Sequence, residues 1–272
     1  MKRNFSVFVI FQLLVIILIS WGCKPDKDPE PQNKDTTTTT NPPQVEKGTL
    51  LLHLHHFIGE EELYLYNSLM QTEDGKKLKI SLAQLYLTDF QLEKLDGTFY
   101  KVPDALILKI QDETTYEVGK VPAGNYKGIR FKVGLDPETN KKVPGSEASD
   151  LLNRKEMWFG NSAQPEGFIF FNIKGNVDTT RANSSDENAL VPFEYRIGTD
   201  RNYVQVIMPE YRYTILPNRA DFLHFKIDIS RIFNGVDISK AAGLSVKTPA
   251  ENNTPIADQL VKNIATMFNY EM

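Results

Sequence analysis

From residue 49 onward the chain repeats with a period of two. Residues 49–57 set Leu50, Leu52, Leu54 and His56 on one side against Leu51, His53, His55 and Phe57 on the other. Such a pattern buries one side only if the backbone is extended, because winding it into a helix would scatter the leucines around the axis. The same style continues through residues 62–66, after a turn at Gly59, and through 77–95, which end at the hairpin pair Asp96-Gly97. Further strand-like stretches cover 99–102, 105–110, 126–133, 167–174, 192–196, 202–208 and 221–229. Helical signals are few. Residues 148–152 and 230–233 suit short turns. Thr254-Pro255, followed by Ile256, Leu260, Ile264 and Met267-Phe268, has helical spacing with a threonine cap and a first-turn proline. Many short strands divided by Gly, Asn and Pro turns predict an all-β chain: an antiparallel β-sandwich, Ig-like or Greek-key in type, with a short C-terminal helix. Its 16 phenylalanines and 11 tyrosines supply the core.

The N-terminal end reads differently. Lys2 and Arg3 precede an apolar run over residues 5–19, which leads to Ser20-Trp21-Gly22-Cys23 and the chain's one cysteine. A basic start, an apolar stretch and a small residue before the junction outline a secretory signal. A cysteine at the junction looks like a bacterial lipobox, where the thiol is acylated and becomes the new N-terminus. Residues 1–23 are therefore expected to be a lipoprotein signal peptide and Cys23 the lipidation site; a membrane-spanning anchor over residues 4–22 is the competing reading. Residues 24–47 are rich in proline, charge and threonine, including a five-threonine tract, and predict a disordered linker. Residues 48–272 form the β domain. The expectation is an exported protein, held at the bacterial cell envelope, on the outer membrane, by acyl chains on Cys23.

Composition removes some classes. The formal net charge is −4, with 31 basic against 35 acidic residues well mixed, so no basic stripe points to nucleic acid. No nucleophile elbow, P-loop, dinucleotide fingerprint or thiol centre is present, and the expectation is a non-enzyme.

An ordered set of segments carries a family resemblance. It runs from His56-Phe57-Ile58-Gly59 and Leu63-Tyr64-Leu65, through Leu85-Tyr86-Leu87-Thr88-Asp89-Phe90 and Val121-Pro122-Ala123-Gly124-Asn125-Tyr126, to Ile129-Arg130-Phe131-Lys132-Val133-Gly134. Met157-Trp158-Phe159, Gly167-Phe168-Ile169-Phe170-Phe171 and Phe193-Glu194-Tyr195-Arg196-Ile197-Gly198 follow. Over most of residues 48–272 the chain resembles the MbnP-like copper-binding family. The resemblance implies a β protein that holds copper through histidines, with a tryptophan that a di-haem partner enzyme oxidises in some members. Three positions depart from the family pattern. Tyr195-Arg196 stands where similar chains read tyrosine-histidine, Gly160-Asn161 where a further tryptophan is common, and Lys247-Thr248-Pro249 lacks a histidine often found nearby. An arginine does not ligate a metal.

Four histidines remain as candidate copper ligands: His53, His55, His56 and His224. His56 lies on the leucine side of its strand and should point inward, either as a ligand or as a hydrogen-bonded core residue. His53 and His55 are two apart and project side by side, a spacing that chelates a metal or forms a solvated strand face. His224 lies on the polar side of its strand. Trp158 is either a modifiable, site-flanking indole or an aromatic that closes the sandwich. Two functions follow: copper binding through these histidines, or a non-metal module that grips an envelope protein or glycan through the loops at 135–153 and 161–166.

Overall fold

The structure, a computed structural model, describes residues 45–146, 149–160, 166–180 and 190–271. The signal-like run, Cys23, nearly all of the linker and residues 161–165 of the second loop lie outside that set. Among the described residues no helix is long and apolar enough to cross a membrane.

In chain order the strands are β1 (Lys47–Ile58), β2 (Glu61–Glu62), β3 (Met70–Gln71), β4 (Lys77–Lys94), β5 (Phe99–Lys101), β6 (Leu106–Lys109), β7 (Thr115–Pro122) and β8 (Gly124–Val133). They continue as β9 (Ile169–Val177), β10 (Val191–Gly198), β11 (Val204–Ile207), β12 (Tyr213–Ile215), β13 (Ala220–Asp228), β14 (Ser245–Val246) and β15 (Phe268–Tyr270). One sheet runs β15-β13-β1-β2, with β7 also on β1; the other runs β11-β8-β4-β9-β10-β14, with β3, β5 and β6 on β4 and β12 on β8.

The alternation in β1 does what its period demands. Leu50, Leu52 and Leu54 are fully buried, as are Phe131 of β8 and Phe225 of β13. Phe131 bridges the two layers, its ring 5.9 Å from Phe225 and 5.0 Å from Phe268 of β15. Each such ring contributes roughly 1.5–3 kcal/mol by leaving water. This is the β-sandwich the pattern predicts. Its sheets are mixed, however, and not purely antiparallel. β1 pairs with β13 in parallel, His53 opposite His224 and His55 opposite Lys226. Parallel neighbours need a long crossover, which sequence periodicity does not reveal.

Strand β4 is buried on both faces. Leu85 and Leu87 belong to the sandwich core, whereas Tyr86 faces away from it with Phe168 and Phe170, under Leu135, Leu152 and Met157. The Tyr86 hydroxyl donates to the Leu151 carbonyl at 2.7 Å. Much of the 135–153 loop thus covers the outer face of the second sheet.

Helix α1 (Pro137–Asn140) is one turn capped by Asp136. The C-terminal helix α2 (Pro255–Ile264) starts as predicted, with Thr254 Oγ1 accepting from Ala257 N. Its end differs. Met267-Phe268 leaves the helix, and the chain returns as β15, an edge strand on β13. Asn263, buried near that exit, donates its side-chain amide to the Ile232 and Asn234 carbonyls.

Candidate metal centre

The outer face of β1 and β13 gathers three of the four histidines. The parallel register brings His53 and His224 together, their rings 4.7 Å apart and edge to face. His55 stacks beyond His53 at 6.0 Å, and Phe222 closes the other end, 4.9 Å from His53. Burial, then the neighbouring His224 and His55, lower the His53 pKa and so favour its neutral ring.

Two carboxylates complete the group. Gly59 turns the chain after β1 with φ of +63°, where a side chain is strained, and its N–H donates to Asp228 Oδ1 at 3.0 Å. That bond ties the turn to the end of β13, and β2 then runs back along β1 with Glu62 opposite Phe57. At the other edge β15 carries the chain to Glu271, whose N–H donates to the His224 carbonyl at 3.0 Å. His55 Nδ1 lies 3.2 Å from Glu62 Oε1 and 3.4 Å from Glu271 Oε2. The ligand atoms of His55, Glu62 and Glu271 all lie within 4.8 Å of one another. Exposed Tyr64 sits at the rim, and its hydrogen bond to Glu62, followed by that carboxylate's charge, raises its phenol pKa.

The other candidates lie elsewhere. His56 points inward and is 4 % exposed, its Nδ1 hydrogen-bonded to the Tyr66 hydroxyl at 2.6 Å. Burial, then the charge of Lys109, hold its pKa well below the ordinary histidine value. It is a neutral ring inside the sandwich, on the opposite face of β1 from His53 and His55. Trp158 packs with Met157, Tyr86 and Phe168 behind the second sheet, bridged to Phe168. The structure therefore does not bring His56, His224 and Trp158 together. At Arg196, where the resemblance implies a histidine, the guanidinium pairs with Glu194 at 2.7 Å, and Lys247 joins the same carboxylate at 3.4 Å. An ion-pair cluster occupies that place.

Glu62 and Glu271 were not foreseeable as site residues. Glu62 reads as part of a solvated acidic turn. Glu271 follows a strand that resembles the tail of a helix, and only the pairing of β15 with β13 puts it beside His55.

The MbnP family model matches residues 47–251. The chain belongs to the MbnP family. A solved structure, MbnP from Methylosinus trichosporium, is similar over 79 % of this chain and 88 % of its own length, with 16 % identity and a TM-score of 0.53. At that identity the likeness is one of fold. No curated protein matches.

Proposed function

We propose that this MbnP-family chain is a non-enzymatic lipoprotein of the bacterial envelope, tethered through Cys23, that binds copper at the histidines on the outer β1–β13 face. The observation that carries the reading is the convergence of His53, His55 and His224, with His55 between two carboxylates. Imidazole suits copper, and a site needs several donors meeting in one partly shielded place. His55, Glu62 and Glu271 are 16–31 % exposed at their side chains: sheltered enough to hold an ion and open enough to admit one. When bound, copper would supply a positive charge that offsets the two carboxylates. The chain's own part is to hold imidazoles and acidic oxygens together across β1, β13, β2 and the end of β15.

The test is copper content after equilibration and desalting of the full chain. Near-stoichiometric copper, lost in His55→Ala and retained in His56→Ala, is the expected result. Equal, weak retention by all three proteins would sink the reading.

A second reading has an observation of its own. A cleft of about 730 Å³ lies between β4, β6 and α1, lined by Asp89, Asp104, Asp136, Lys101, Lys132 and Tyr203 among others. Asp89 and Asp104 adopt left-handed backbone angles, φ of +52° each, which non-glycine residues rarely hold. Such a cleft, with carboxylates and lysines beside apolar side chains such as Leu106 and Leu135, suits a glycan, which offers both hydroxyls and apolar ring faces. Glycan-array binding that Asp89→Asn abolishes would favour it, and a blank array would remove it.

A further inference from the structure

The two ends of the sandwich differ in charge and in what they expose. Resting on the tethered-lipoprotein reading above, we infer that the end where the chain enters the β domain is a lipid-facing surface, laid on the anionic headgroups of the membrane that holds Cys23.

Four segments make up that end. Val45 leads into β1, and the carbonyl of Glu46 accepts from Ala123 N, in the turn between β7 and β8, at 2.8 Å. The loop after β12 lies alongside, with Asn218 N donating to the Lys47 carbonyl at 2.9 Å. Gly48 permits this close approach, since a Cβ there would collide with the Leu216 carbonyl. The β4–β5 hairpin joins them through Lys94, which stands opposite Tyr126, whose hydroxyl donates to the Pro122 carbonyl at 2.7 Å.

These segments present apolar side chains among basic ones. Val45, Leu95 and Leu216 are all exposed. Lys47, Lys94, Lys120 and Arg219 outnumber the neighbouring acids Glu46, Asp96 and Asp221. Asp96 and Asp221 accept from the backbone N–H groups of Thr98 and Leu216. Lys47, Lys120 and Arg219 form no ion pair with any described residue, so their charge is available to a partner. Apolar burial and attraction to anionic headgroups add at a lipid interface, which is where this combination fits.

The opposite end is built otherwise. Glu60 and Glu61 follow β1, and Asp136 and Glu138 follow β8. The cations there are already engaged, Lys226 with Glu60 at 2.7 Å and Lys141 with Glu138 at 2.8 Å. Tyr64 and Leu65 are exposed as well, but they closely follow Glu60-Glu61-Glu62, which an anionic surface repels.

The tether favours the same orientation. Residues 24–44 separate Cys23 from Val45 and reach at most roughly 75 Å when fully extended. A contact too weak to hold a free protein therefore acts at high local concentration. Because the chain enters at the basic end, that end can settle on the bilayer while the acidic loops stay in water.

The experiment reconstitutes the full chain into vesicles of phosphatidylethanolamine and phosphatidylglycerol with brominated acyl chains, which quench nearby indoles. Leu95→Trp, Leu216→Trp and Leu65→Trp are each compared with the wild type, whose Trp21 and Trp158 set the background. Melting curves show that each variant is folded. The expected outcome is loss of most of the added emission in Leu95→Trp and Leu216→Trp, and none in Leu65→Trp. Adding Lys47→Glu, Lys120→Glu and Arg219→Glu to Leu95→Trp should restore most of it, as should high salt. Equal loss at both ends would overturn the inference. No loss at Leu95→Trp or Leu216→Trp, in chains that float with the vesicles, would also overturn it and leave the tether standing. A dimer that Leu95→Ser dissolves would then give this end to a second copy of the chain. A chain that does not float with the vesicles would remove both readings.

Discussion

Strand β1 carries histidines on both faces, and the two faces treat them in opposite ways. Inside, His56 is 4 % exposed, neutral and hydrogen-bonded to Tyr66. Outside, His53 and His55 remain half-buried beside His224, Glu62 and Glu271. One residue of offset separates a ring that serves the core from a ring that faces two carboxylates, because successive side chains on a strand point to opposite sides. What a histidine does here is set by what packs over it.

The largest effect that would sharpen this contrast comes from truncating each ring in turn. His56→Ala should cost about 3 kcal/mol or more in urea unfolding, by leaving a cavity and an unpaired Tyr66 hydroxyl, and should leave metal content unchanged. His55→Ala should cost under about 0.5 kcal/mol and abolish the metal. Reversed outcomes would break the comparison.

Lys109 offers a test of how dry the inner side is. It is 1 % exposed and donates to the Ile110 and Glu113 carbonyls, and burial lowers its pKa to about 8. An unfolded lysine titrates near 10.5. Between those values the unfolded chain holds a proton that the folded chain has released, so this group makes stability rise with pH from about 8 to about 10.5. Below pH 8 its cost is complete and flat. Comparing the wild type with Lys109→Met at pH 7.5 and 10 isolates the slope, on the order of 3 kcal/mol in total. Parallel pH profiles would mean that Lys109 reaches water.

On the outer face, copper should stabilise the chain by about 2.7 kcal/mol at a hundred times its dissociation constant. Calorimetry with and without metal reads this as a rise in Tm, one that Glu271→Gln should lose. His56 adds a smaller effect of known sign. Its folded pKa is depressed, so acidification protonates the unfolded chain first, and stability falls as pH drops through the ordinary histidine value of 6.5. His56→Gln should flatten that acid limb. The smallest change is expected at Phe222, 46 % exposed at the end of the histidine row, where Phe222→Ser should move the urea midpoint little.

Much of the architecture was legible in the sequence, since local chemistry wrote it. The two-residue period of residues 49–57 assigns Leu50, Leu52 and Leu54 to the core, and Thr254-Pro255 marks the start of α2. The ordered family segments pointed to a fold that the family match and the Methylosinus structure bear out. The centre was only half visible. His53 and His55 could be paired by spacing alone, because they share a strand. Uniting them with His224 needed the parallel pairing of β1 and β13, and joining Glu62 and Glu271 to His55 needed both edges of the sheet.

Periodicity is a local property of a chain, and it determined which faces of this protein are oily and which are wet. Strand neighbours, their direction and their register depend on contacts between residues far apart in sequence, which local pattern does not encode. That is why the amino-acid order alone specified a sandwich with histidines on two faces. Only the tertiary structure decided that three of them would gather on one face and that His55 would meet two carboxylates, one carried by β2 and one delivered by a C-terminal strand that reads as helix.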